Sequence, residues 1–133
     1  MDNNVLTNEY LNNIVENIVK IPIELIENKN ISLYELFKKS QYCNYYNYIT
    51  EDIIKIYLLN NLNYINNWLI YSEDKRVGKG YYIESKDEKY EVGYFNIYKE
   101  NKIQILKTYT KLEEIDAFAN FIKLELEYLR GNV

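Results

Sequence analysis

Carboxylates are the side chains in this sequence whose types and spacing could do chemistry. Glu73 and Asp74 are neighbours, and Glu84 and Glu91 fall in two successive stretches of alternating apolar and polar residues. Either pair could divide the work of a general acid and a general base. Carboxylates on turns and sheet surfaces are far more often simply solvated, and no third group joins either pair. The sequence contains no histidine, which removes the commonest general base and the usual zinc ligand. Its one cysteine, Cys43, lacks the imidazole partner that commonly activates a thiol nucleophile. Gly78-Lys-Gly80 is too short to cradle a phosphate and reads as part of a turn. No catalytic residue, metal-ligand set or cofactor motif is assigned, and the expectation is a protein without enzymatic activity.

The elements that must position these carboxylates read as strands. Trp68–Tyr71 (WLIY), Gly80–Glu84 (GYYIE), Lys89–Phe95 (KYEVGYF) and Lys102–Leu106 (KIQIL) alternate, or nearly alternate, apolar and polar residues. They are separated by charged, Gly- or Asn-containing breaks at Ser72–Gly78, Ser85–Glu88 and Lys99–Asn101. Such runs predict a four-stranded antiparallel meander joined by hairpins. Parity puts Tyr81, Ile83, Tyr90, Val92, Tyr94, Ile103 and Ile105 on the inner face. Tyr82, Glu84, Glu91, Gly93 and Gln104 then share the outer face, whose tyrosines and carboxylates suit a solvated surface.

Helices flank the strands. After a frayed end at residues 1–6, Leu11, Ile14, Val15 and Ile18 recur at the spacing of one helical face, starting from Thr7. Pro22 ends or restarts that helix, with a short turn to Glu27 and a break at residues 28–30. Ser32 and Glu35 form a capping box, and Leu33, Leu36 and Phe37 supply the buried side of a helix reaching about Ser40. Gln41–Tyr48 reads as an aromatic loop, and Thr50 caps a helix whose inner stripe is Ile53, Ile56 and Tyr57, joined by Leu58. Thr110 and Glu113 make a second capping box, and Ile115, Phe118, Ala119, Ile122, Leu126 and Leu129 line one face of a long last helix. Gly131 stands where a C-terminal cap favours positive φ. The expected class is α+β, one domain over residues 1–133: short N-terminal helices, a four-stranded antiparallel β-meander and a long C-terminal helix packed on the sheet.

With 133 residues, 47% hydrophobic and 27% charged, the chain can bury a core without disulfide or metal. A net charge of −4 argues against a phosphate-binding surface as its main purpose, so nucleic acid is not the expected partner. One cysteine fits a reducing compartment. No basic-then-apolar signal opens the chain and no apolar run nears membrane-spanning length, so a cytoplasmic protein without a membrane partner is expected. The 16 tyrosines, with plentiful Asn, Ile and Lys, match the bias of AT-rich coding sequence.

Two features remain as recognition candidates. Ser72–Arg76 (SEDKR) packs both charge signs onto one short segment, which suits either a solvated turn or a patterned edge for a charged partner. Tyr42, Tyr45, Tyr46 and Tyr48 could stack single-stranded bases, but the nearby Glu51 and Asp52 supply carboxylates where that mode needs a basic groove. Tyrosines also suit protein interfaces, since the ring supplies area and the hydroxyl a polar contact.

Trp68–Arg76 (WLIYSEDKR), Gly80–Tyr82, Val92–Tyr94 and Ala117–Glu127 (AFANFIKLELE) resemble small bacterial immunity proteins of polymorphic-toxin and contact-dependent growth inhibition systems, as does Ser32–Lys39 (SLYELFKK). The resemblance implies a cytoplasmic, non-enzymatic protein that binds the C-terminal toxin domain of a cognate effector, often a nuclease, and occludes its active site or an essential surface. It supplies no motif of functional residues. The partner-binding candidates chosen from the residues are Glu73, Asp74, Tyr82, Glu84 and Glu91, with carboxylates engaging basic groups and Tyr82 as an anchor; the Tyr42–Tyr48 loop is the second candidate. The alternative is a protein- or nucleic-acid-binding regulatory module outside toxin systems. Self-association is left open by the sequence.

Overall fold

A computed structural model describes residues 7–28, 30–74, 77–100 and 102–132. Among these, six α-helices precede the sheet, α1 (Asn8–Val19), α2 (Ile21–Glu27), α3 (Leu33–Lys39), α4 (Tyr42–Tyr45), α5 (Glu51–Leu59) and α6 (Ile65–Glu73), with a 3₁₀ turn at Leu62–Tyr64 before the last. Strands β1 (Lys79–Lys86), β2 (Lys89–Asn96) and β3 (Ile103–Thr110) form one antiparallel sheet in the order β1-β2-β3, and α7 (Glu114–Arg130) packs on it. The α+β class and the long C-terminal helix agree with the sequence pattern. The strand count does not: the sheet has three strands rather than four. The expected frayed end at residues 1–6 and part of the Ser72–Arg76 segment, Lys75 and Arg76, lie outside the described residues.

The missing strand is Trp68–Tyr71, which lies within α6. A four-residue apolar run fits either period, and burial at Ile65, Trp68 and Ser72 shows the helical one. Trp68 anchors the helix, its indole N–H donating to the Val19 carbonyl at 3.0 Å while its ring meets Tyr71 and Phe121 edge-on. The expected hairpin from Ser72 therefore opens as the last turn of a helix. Ser72, the start of that supposed exposed edge, is buried: its hydroxyl donates to the Ile83 carbonyl at 2.9 Å and accepts from the Ile83 N–H at 2.8 Å. One side chain thus occupies both outward backbone groups of Ile83, an edge position of β1.

The capping expectations hold. Ser32 and Glu35 form a reciprocal box, Thr50 accepts from the Ile53 N–H, and Thr110 and Glu113 form the second box, ahead of a single 3₁₀ turn that leads into α7. Two finer readings are corrected. In α5 the inner residues are Ile54 and Leu58 and not Ile56, which is exposed; the nearly continuous apolar run from Ile53 to Leu59 leaves the helical phase open. Gly131 has φ −69°, so α7 ends without a left-handed cap.

The core is built around α7. Phe118, Phe121, Ile122 and Leu126 are fully buried, each contributing on the order of 1.5–3 kcal/mol. Phe118 meets Tyr90 of β2 edge-on at 5.4 Å between ring centroids. On the helical side, Lys123 Nζ donates to the Tyr42 hydroxyl at 2.5 Å, the Ile49 carbonyl at 2.6 Å and the Tyr46 carbonyl at 3.1 Å. The Tyr42 hydroxyl donates to Glu127, which also pairs with Arg130 at 2.7 Å. Tyr42 is fully buried and is a core residue; no stacking platform runs through the Tyr42–Tyr48 segment, although Tyr48 is exposed.

Two outcomes follow. Ser72→Ala should destabilise the fold by about 1–3 kcal/mol, because two buried backbone groups lose their partner; urea denaturation reads it. The second concerns pH. The Arg130 guanidinium holds the Glu127 carboxyl below the ordinary 4.5, helped by the Tyr42 hydroxyl and the Lys123 charge and opposed by burial. A depressed carboxylate contributes stability that is complete above its unfolded value and is lost as pH falls through the folded one. Melting curves should therefore fall below about pH 4.5, and Glu127→Gln should flatten that acid limb while lowering stability at neutral pH.

Candidate partner-binding face

Register decides which side chains share the outer face of the sheet. Tyr81 pairs with Tyr94 and Ile83 with Val92, and these point toward α7 with Tyr90 and its partner Tyr109. Between Val92 and Gly93 the β2–β3 pairing slips, so that Lys107 opposes Val92 and Ile105 opposes Gly93. Leu106 is the extra residue of a bulge, and an odd insertion exchanges the two faces. Ile103 and Ile105, expected inside, therefore lie on the outer face, 64% and 57% exposed. Gln104, expected outside, opposes Tyr94 and belongs to the inner side.

The outer face consequently has an apolar centre. Tyr82, Phe95, Ile103 and Ile105 share it, and the Tyr82 and Phe95 rings lie 6.4 Å apart. Tyr82 lies across Gly93: a Cβ built on that glycine would stand 2.6 Å from the Tyr82 ring and hydroxyl and 2.6 Å from the Gln104 carbonyl. Gly93 thus exists for a close approach, with the ring filling the place a side chain would take. The Tyr82 hydroxyl donates to Glu91 at 2.5 Å. Burial first, then the bond to Glu91, push that hydroxyl well above its ordinary pKa, so it is a fixed donor across the physiological range.

Beyond Tyr82 the face turns charged. Glu84 and Glu91 are direct cross-strand partners, and Lys86 and Lys89 form the next pair. Like charges directly opposite one another destabilise a sheet, so each pair is a local cost that the neighbouring row of opposite sign offsets. On this same face a groove of about 480 Å³ is lined by Glu73, Tyr82, Glu84, Phe95, Ile97, Lys102 and Ile103.

Four of the five residues singled out in the sequence, Glu73, Tyr82, Glu84 and Glu91, are brought together by this groove and by the Tyr82–Glu91 bond. Asp74 is not among them. It ends α6 beside a separate cavity of about 360 Å³, where Tyr71 donates to the buried Glu125 at 2.5 Å. The residues that sequence reasoning missed are Phe95, Ile97, Ile103 and Ile105. The adjacent apolar pair Ile105-Leu106, which breaks the alternation, was the one local signal of the slip.

Among the described residues, no group of three or more His, Cys, Asp or Glu is placed to hold a metal ion, and no helix is long and apolar enough to cross a membrane. Compared with models of protein families, with curated proteins and with solved structures, the chain matches none.

Gly93→Ala tests the close approach. Backbone on one side and the ring on the other leave the new methyl no space, so a loss of about 1–3 kcal/mol is expected. Tyr82→Ala in the same chain should recover part of it, which a thermal-melt double-mutant cycle measures.

Proposed function

We propose that this chain is an immunity protein that binds and neutralises a cognate toxin domain through the outer face of its sheet. The observation that carries the reading is the make-up of that face: an apolar centre of half-buried Tyr82 and Phe95 and exposed Ile103 and Ile105, beside the carboxylates of Glu73, Glu84 and Glu91. Exposed apolar area flanked by charge is characteristic of protein-binding surfaces. The resemblance of Trp68–Arg76 and Ala117–Glu127 to immunity proteins supplies the class of partner. A nuclease toxin, whose active site must attract a polyanion, would present basic groups to the three carboxylates, and charge complementarity would speed and select the encounter. Neutralisation would proceed by occlusion, without chemistry, in the cytoplasm where the toxin acts.

In this reading Tyr82 is the anchor, pre-oriented by Gly93 beneath it and Glu91 beside it. Glu84 and Glu91 are the pair whose mutual repulsion a partner's guanidinium or ammonium would relieve. Co-expression with the C-terminal domain encoded by the neighbouring gene should give a stable complex and restore survival. Glu84→Lys with Glu91→Lys should weaken that complex by about 2–5 kcal/mol, a rise in Kd of roughly 30-fold to several thousand-fold. The fold should also lose some stability, because the Tyr82–Glu91 bond and the offsetting row of opposite charge are removed, so affinity is read well below the melting temperature. Unchanged affinity would remove this face from the proposal.

A further inference from the structure

The outer face ends at β3, and β3 is an open edge. Among the described residues only β2 pairs with it. The opposite edge, β1, is treated differently: Ser72 occupies both outward groups of Ile83. β3 runs for eight residues and is exposed everywhere except Tyr109. A strand of that length with free N–H and C=O groups is a template for another strand.

Charge selects what fits. Between residues 102 and 112 the strand itself carries no carboxylate; Lys111 turns back over the Tyr90 ring and toward Ser85, and Glu51, Glu113 and Asp116 stand near Tyr109, so the basic part of the edge is the stretch from Lys102 to Lys107. Lysines on an edge, together with the bulge at Leu106, keep copies of the same edge apart. The same lysines attract an acidic strand. Ile103 and Ile105 stand outward at this edge, so the side chains of an added strand would extend the apolar centre already described.

We propose that β3 accepts an extended acidic segment of the partner protein as a fourth antiparallel or parallel strand, its alternate apolar side chains lying beside Ile103 and Ile105 and its carboxylates near Lys102 and Lys107. Backbone hydrogen bonds would hold the segment and the lysines would choose it. This rests on the reading that the chain binds a protein, and it specifies the form of part of that partner.

The test uses the full chain and two capped heptapeptides, one alternating valine and glutamate, the other valine and lysine. Amide hydrogen exchange is followed residue by residue. The glutamate peptide should slow exchange at outward amides of residues 103–110 by at least about tenfold at saturation, and the lysine peptide should not. Lys102→Glu with Lys107→Glu should reverse the preference. Equal protection by both peptides, protection confined to the Tyr82–Glu91 region, or none at millimolar peptide would overturn the proposal. So would protection of β3 that grows with protein concentration without peptide, since a second copy would then be the occupant. Because no toxin is used, loss of toxin neutralisation with the edge response intact strikes only the immunity reading. The converse result strikes only this one.

Discussion

The burial of α7 is the constraint from which the rest of the structure follows. A three-stranded sheet cannot by itself enclose a core, and here α7 serves as the common floor for both layers, touching all three strands on one side and α5 and α6 on the other. Its buried set includes Ala117, Phe118, Ala119, Phe121, Ile122, Leu126 and Leu129, far more than a single stripe. Because the helical residues gather on that side, the other face of the sheet receives no layer among the described residues. An uncovered face need not be apolar. That this one carries Phe95, Ile103 and Ile105 at its centre is a property of the sequence which packing does not require.

The polar interior makes the scaffold specific. Lys123 reaches from α7 into the segment around α4 and is met by three oxygens, while Glu127 collects Tyr42 and Arg130, and Arg130 lies 3.8 Å over the Tyr46 ring. No buried side-chain nitrogen or oxygen among the described residues lacks a partner. A network of this kind favours one arrangement because each partly buried charge keeps several partners only there. It also explains why a tyrosine-rich stretch that looks like a recognition loop is structural. Tyr42 is spent inside, and Tyr45 and Tyr46 are half covered against it.

Sequence legibility followed the strength of each local rule. Caps were readable because Ser32, Thr50 and Thr110 each carry a specific donor–acceptor geometry at fixed spacing. The last helix was readable because its period persists over 17 residues. Trp68–Tyr71 was not, since four apolar residues cannot tell a strand from a buried helical turn, and the deciding contact is to Val19, far away in sequence. For the binding face, alternation sorted β1 and β2 correctly and so found Tyr82, Glu84 and Glu91. It failed in β3, because the one inserted residue, Leu106, puts Ile103, Gln104 and Ile105 out of step with Tyr109. Asp74 was grouped with Glu73 by adjacency alone, whereas neighbours at the end of a helix point in different directions.

The bulge at Leu106 has an evolutionary consequence. It divides β3 into a segment whose Tyr109 is buried in the core and a segment whose Ile103 and Ile105 side chains stand on the outer face. Substitutions in the second segment need not be compensated within the fold, while those in the first must be. The Ile103 and Ile105 positions can therefore be revised repeatedly while Tyr109 is inherited unaltered.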